Sequence, residues 1–98
     1  EDLASLLDSD DDYVLVNTTA ALSRVAKTNP DTVEPYTDQY IALLDHDHRL
    51  VRLNACWALG HVGAINATDK LNDVRKTDSD EAVRTRANWA LSEATDGK

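Results

Sequence analysis

Phenylalanine and methionine are both absent from this chain of 98 residues, and aromatic residues make up only 5% of it. A core built without them has to come from Ala, Val, Leu and Ile, whose small volumes suit helices packed at close range. Three glycines and two prolines are too few for a disordered or collagen-like chain. No apolar run approaches the roughly 20 residues that a membrane-spanning helix requires, so no membrane partner is expected. A basic, apolar, small-residue leader is also lacking, and nothing argues for secretion. The lone cysteine, Cys56, cannot form an internal disulfide, which fits a reducing cytoplasm. It lies in the apolar stretch Ala55-Cys56-Trp57-Ala58-Leu59, the setting of a packed thiol rather than a nucleophile.

Positive charge is scarce too. Ten lysines and arginines face 18 aspartates and glutamates, for a net charge of -8. The acidic excess is mostly aspartate, and lysine occurs only as Lys27, Lys70, Lys76 and Lys98. An Asp-rich, Lys-poor chain with much Ala, Val and Thr resembles proteins of salt-loving archaea, in which dense carboxylates keep the surface hydrated. An ordinary acidic surface would aid solubility in the same way. Either field repels phosphate backbones, so no nucleic-acid partner is expected.

What the chain has is internal repetition. Three segments align without gaps, beginning at Val14, Val51 and Val83. Their apolar positions are Val14, Thr18, Ala21, Leu22 and Val25; then Val51, Ala55, Ala58, Leu59 and Val62; then Val83, Ala87, Ala90, Leu91 and Ala94. The spacing i, i+4, i+7, i+8, i+11 is one face of an α-helix. An acidic turn precedes each segment: Asp8-Ser9-Asp10, Asp45-His46-Asp47 and Asp78-Ser79-Asp80. Aspartate and serine there cap free N–H groups of the next helix and complement its dipole.

Other helical stretches separate the repeated ones. Asn29 is a cap candidate, with Pro30 at the first helical position and Val33, Tyr36, Tyr40, Ile41 and Leu44 at helical spacing. Pro35 is read as tolerable because it falls in the first turn. Gly63 is placed as the end of the second repeated helix. A shorter helix is expected from Asn66, with Ala67, Leu71 and Val74 inward; Leu3, Leu6 and Leu7 read as the last turns of another. The expected fold is all-α: a solenoid of about three helical hairpins with a period of about 32 to 37 residues. It forms one domain over residues 1–98, with units at roughly 1–28, 29–63 and 64–98.

The stretch from Asp45 to Gly60 carries an Asp-x-Asp turn, then Val51-Arg52, then Ala55-Cys56-Trp57-Ala58-Leu59-Gly60. It resembles the HEAT-like repeat first grouped with the phycobilisome lyases. The third unit matches at Asp78, Asp80, Val83, Arg84, Ala87, Trp89, Ala90 and Leu91, with Ser92 in place of the glycine. The first unit diverges, with Leu15 for the Arg and Ala20 for the Trp. The resemblance implies an armadillo-like α-solenoid and a structural role for Asp45, Asp47, Asp78 and Asp80. It also implies that Arg52 and Arg84 pair with turn aspartates. It says little about function, because the repeat serves many roles.

Chemistry-bearing clusters are weak. Asp45-His46-Asp47-His48 has the donors for a divalent transition metal, but four adjacent residues in one turn do not converge easily on one ion. Asp8-Ser9-Asp10-Asp11-Asp12 fails the calcium-loop pattern, with Tyr13 where glycine is needed and Thr19 where the closing glutamate belongs. The His-Glu dipeptides of deoxyhypusine hydroxylases do not occur, the basic groove of HEAT-type DNA glycosylases is missing, and nothing marks a bilin pocket. No catalytic residue, metal ligand or cofactor is assigned. A metal- or cofactor-handling module, lyase-like or hydroxylase-like, is the alternative to the leading expectation, a non-catalytic protein-interaction scaffold.

The candidate partner-binding residues are Trp89, Trp57, Leu50, Leu53 and Tyr13. On a helical wheel Trp57 stands roughly 140° from the Val51/Ala55/Leu59 face, with Leu50 and Leu53 on its side. Tyr13, Val16 and Ala20 are read as the equivalents in the first unit, and Ala82, Thr85 and Trp89 in the third. This second apolar strip fits, first, packing between repeats, and next a surface that receives a protein partner. Trp89, beside small Ala82 and Thr85, is expected to be the freer anchor, and Trp57 to be held between repeats. After the last helix stand only Thr95, Asp96, Gly97 and Lys98. An uncapped solenoid end leaves apolar surface for more chain, a partner or another copy, hence an expectation of self-association.

The charge imbalance sets a first test. Mutual repulsion of the carboxylates weakens the fold when screening is low and eases as the Debye length shrinks from about 10 Å at 0.1 M salt to about 3 Å at 1 M. The melting temperature, followed by circular dichroism, rises over that range. A flat or falling curve removes the high-salt reading.

Overall fold

In a computed structural model, which describes residues 3–96, the chain folds into α-helices and two 3₁₀ turns, with no strand among the described residues. The helices are α1 (Leu3–Leu7), α2 (Asp12–Thr28), α3 (Pro30–Val33), α4 (Thr37–Leu43), α5 (Arg49–Val62), α6 (Thr68–Thr77) and α7 (Glu81–Asp96). Residues 1, 2, 97 and 98 of the expected domain lie outside the described part, and so does the side chain of Leu3.

The three repeated segments form α2, α5 and α7. They lie side by side and run the same way. Asp12 lies near His46, and Asn54 reaches Val16 and Thr19. Across the other side of α5, Arg52 meets Asp78 and His61 meets Trp89. Both sets of contacts advance together along the paired helices. Helix α1 packs on α2, α4 on α5, and α6 on α7. The shortest dimension, 18 Å, is that of two helical layers spaced about 8–10 Å apart.

The core runs through this arrangement as the repeated face requires. Val51, Ala55, Ala58 and Leu59 of α5 are buried, as are Val83, Ala87, Ala90 and Ala94 of α7; Val62 and Leu91 are half-buried. Cys56 is buried as a packed thiol, and burial pushes it up to about 12, out of reach of thiolate chemistry at neutral pH.

The first unit departs from its aligned register. The buried residues of α2 are Leu15, Thr19, Leu22, Ser23 and Ala26. The spacing is the same but starts one residue later than Val14; Ala21 is exposed, and Val14, Thr18 and Val25 are half-buried. The cause is at the helix start. Leu15 stands four positions after the cap Asp11, against three from His48 to Val51 and three from Asp80 to Val83. One extra residue turns the helix by roughly 100°, so the gapless alignment beginning at Val14 lands one position short of the buried face. The polar members of that face are satisfied. Thr19 Oγ1 donates to the Leu15 carbonyl at 2.7 Å and accepts from Asn54 Nδ2 at 3.2 Å, a buried polar tie between α2 and α5.

Pro35 does more than the sequence reading allowed. It breaks the expected continuous helix into α3, a 3₁₀ turn at Glu34–Tyr36, and α4. Proline has no N–H to donate and its ring clashes with the carbonyl four residues back, so a tighter turn replaces the α-helical one. Asn29 is the cap residue of α3, yet no side-chain hydrogen bond is made there. Gly63 ends α5 as expected, with φ at 70°, a left-handed conformation that glycine adopts without a Cβ penalty. Asn66 falls in the second 3₁₀ turn, Ile65–Ala67, and α6 starts at Thr68, with Ala67, Leu71 and Val74 buried.

Leu59 is only 1% exposed at the centre of α5. Leu59→Ala is expected to cost about 2–5 kcal/mol in chemical denaturation, the range for a fully buried leucine. A loss under about 1 kcal/mol would mean that the site collapses around the smaller side chain.

Candidate functional site

One edge of the molecule, where α2, α5 and α7 begin, is taken up by its own hydrogen bonds. Before each helix, a side chain accepts the backbone N–H two residues ahead: Ser9 from Asp11, His46 from His48, and Asp78 from Asp80, all at 3.0 Å. The second member then caps the helix. Asp11 accepts from Tyr13, His48 Nδ1 from Leu50, and Asp80 Oδ1 from Val83. In the middle unit the histidines do this, not the flanking aspartates. Asp45 pairs with Lys70 at 2.6 Å, and Asp47 offers its carbonyl to Arg52.

Arginines tie these turns together. Arg52 donates through Nη1 to the carbonyls of His46 and Asp47, and through Nε and Nη2 to the two Asp78 oxygens at 2.9 and 3.2 Å. The two-pronged bond fits the planar guanidinium. Arg84 makes the equivalent local bond, to the Asp78 carbonyl at 2.6 Å. Arg49 pairs with Asp80, and that bond, helped by the Val83 N–H, holds the Asp80 carboxyl down at about 2. Among the described residues no group of three or more His, Cys, Asp and Glu side chains is arranged to hold a metal ion.

The open surface lies along α2, α5 and α7. Leu50, Leu53, Trp57 and His61 form a stripe along α5, none of them fully buried. Trp57, 38% exposed, stands between two clefts. One, of about 370 Å³, is lined by Leu53, Trp57, Glu81, Ala82, Thr85 and Arg86. The other, of about 310 Å³, is lined by Ala20, Arg24, Lys27, Asn54, Trp57 and His61. Tyr13 is 77% exposed and lines neither cleft, so the candidate residues do not form one patch.

The two tryptophans exchange the places expected of them. Trp89 is half-buried against the core, and its ring lies where a Cβ on Gly60 would stand, 2.2 Å from Cζ3. It also meets the His61 ring edge-on, with centroids 5.0 Å apart. Trp57 and Trp89 are equivalent by the spacing of Val51 and Val83. Stepping back from Gly60 by the spacing of Val51 and Leu15 reaches Arg24. Trp89 therefore settles into a notch with no side chain, whereas Trp57 faces an arginine at the matching position and stays more exposed.

Sequence reasoning overlooked Arg86. Its guanidinium carbon lies 4.6 Å from the Trp57 ring centroid and 5.1 Å from that of Trp89, a cation held by two aromatic faces. The i, i+3 spacing of Arg86 and Trp89 signals half of this contact; the half reaching Trp57 crosses between helices. His61 was overlooked too. Burial lowers its pKa, with Lys27 and Arg86 lowering it further and Glu93 opposing them, so the ring is neutral at pH 7.

The Gly60 notch is open to measurement. Gly60→Ala gains up to about 1 kcal/mol of helix propensity, but the added methyl meets a rigid ring, an overpacking cost of about 1–3 kcal/mol. A net loss of about 1–2 kcal/mol is expected, with a changed emission spectrum as Trp89 is displaced. Trp89→Ala is expected to destabilise more than Trp57→Ala, by about 2–4 kcal/mol, in paired urea melts. The reverse order would mean that Trp89 contributes little to the packing.

A comparison with curated proteins finds no match. A family model described as HEAT repeats matches residues 1–92, a span that takes in α2, α5, most of α7 and the connections between them. Read with the repeated core face and the arginine-tied turns, that match makes this chain a member of the HEAT repeat family.

Proposed function

We propose that this chain is a non-catalytic protein-interaction scaffold whose docking surface runs along α2, α5 and α7 and centres on Trp57. The observation that carries this reading is the position of Trp57: a large aromatic ring, 38% exposed, forming the ridge between two clefts. Affinity between proteins concentrates in such desolvatable aromatic anchors. The turn edge is a poorer surface, because its side chains are engaged with one another and exposed ion pairs contribute little. The metal-handling alternative rested on the turn histidines, whose Nδ1 atoms already accept backbone N–H groups.

Several finer features belong to the same reading. The Asp-x-Asp turns and the Trp-Ala-Leu-Gly stretch fit the lyase-type grouping of the repeat. The aspartate-rich surface fits a high-salt organism, and the single packed cysteine fits the cytoplasm. The units at roughly 1–28, 29–63 and 64–98 are the repeats of the array.

Selection of peptides from a random display library tests the docking surface. Enriched peptides are expected to lose about 2 kcal/mol or more of affinity, roughly thirtyfold, on Trp57→Ala, with the helical circular dichroism unchanged. Enrichment only of peptides indifferent to Trp57→Ala would overturn the assignment.

A further inference from the structure

In an acidic protein, the surface around Trp57 is locally basic. Arg24 and Lys27 line one of its clefts with no acidic residue beside them, and Arg86 lines the other together with Glu81. Arg49 pairs with Asp80, Arg52 with Asp78 and Lys70 with Asp45, while Arg75 and Arg84 donate to Asn72 and to the Asp78 carbonyl. Arg24, Lys27 and Arg86 have no such carboxylate partner among the described residues. Arg24 and Lys27 are exposed, while Arg86 is half-buried and held by the two indole rings. Lys27 and Arg86 both act on His61, which lines the cleft of Arg24 and Lys27, so the charges surround one spot rather than scatter; Glu93 is the carboxylate that reaches the same ring.

We infer that the occupant of this surface is an acidic peptide segment, in which an apolar side chain packs against Trp57 while flanking carboxylates pair with Arg24, Lys27 and Arg86. The inference rests on the docking surface proposed above and adds the chemical class of the partner. Three cations gathered around Trp57, without carboxylate partners among the described residues, leave charge for a partner to neutralise. Arg86 is the best placed of them. Stacking on two rings restricts its side chain in advance, so less freedom is lost when a carboxylate engages its donors. A basic segment would meet repulsion here. A nucleic-acid strand could use the same cations and the Trp57 ring, but it would carry a continuous phosphate charge past the surrounding aspartates. A short segment with spaced carboxylates avoids that.

The test reads the composition of peptides selected from the random display library, at about 0.15 M salt, where the Debye length is about 8 Å. Against the native surface, aspartate and glutamate beside an apolar residue are expected to be enriched at least about twofold, with lysine and arginine depleted. Arg24→Glu with Lys27→Glu, both exposed positions, is expected to reverse the preference toward basic peptides; Arg24→Gln with Lys27→Gln should merely abolish it. Circular dichroism melts confirm that each variant folds. If Trp57-dependent peptides are selected with no charge preference, or with one that charge reversal leaves unchanged, the acidic partner is wrong and the docking surface stands. If no Trp57-dependent peptide is selected, both fall. If a fluorescent single-stranded oligonucleotide binds more tightly than the selected peptides, and loses affinity on the same charge reversal, the surface belongs to nucleic acid and the inference is overturned.

Discussion

Helix α5 has to bury most of its circumference at once, because α2 lies on one side of it, α7 on the other and α4 against a third. Seven of its fourteen residues are buried: Val51, Asn54, Ala55, Cys56, Ala58, Leu59 and Gly60. Such a helix accepts only small or closely fitting residues on three sides. That requirement explains the alanines, the packed thiol and the glycine. It also limits what the helix can show to solvent, namely the stripe from Leu50 through Leu53 and Trp57 to His61. The candidate surface is what remains of α5 once its neighbours have covered the rest.

The same constraint gives the two ends of the helices different roles. Where α2, α5 and α7 begin, the N–H groups of each new helix need acceptors. Ser9, His46 and Asp78 set the turns, while Asp11, His48 and Asp80 cap the helices. Arg52 then joins the middle turn to the next one through Asp78. These bonds fix the registry between α5 and α7, and so help set the distance between Gly60 and Trp89 and between Trp57 and Arg86. Charge at the turn edge is spent on internal pairs, whereas Arg24, Lys27 and Arg86 have no carboxylate partner among the described residues.

Much of the fold was legible in the sequence because helical periodicity is a local property. Val51, Ala55, Ala58 and Leu59 repeat in Val83, Ala87, Ala90 and Leu91, and such spacing specifies a buried face wherever the helix is placed. The all-α architecture and the end of α5 at Gly63 followed from it. Misreadings arose where one residue changed the phase. The extra position between Asp11 and Leu15 moved the buried face of α2, and the similarity of Asp45-His46-Asp47 to Asp78-Ser79-Asp80 hid the fact that His46 and His48 are the true counterparts of Asp78 and Asp80.

The sequence by itself determined the helices, the residues able to face a core and the excess of negative charge, since each depends on neighbours within a few positions along the chain. Only the tertiary structure decided which tryptophan is covered and which stands open. Trp57 and Trp89 have matching local contexts and differ in what the preceding helix offers them: Arg24 near one, Gly60 under the other. It alone also decided that Arg86 rests on both rings. Contacts between helices depend on how closely two backbones approach, and that distance is set by packing across the core, which no single helix encodes.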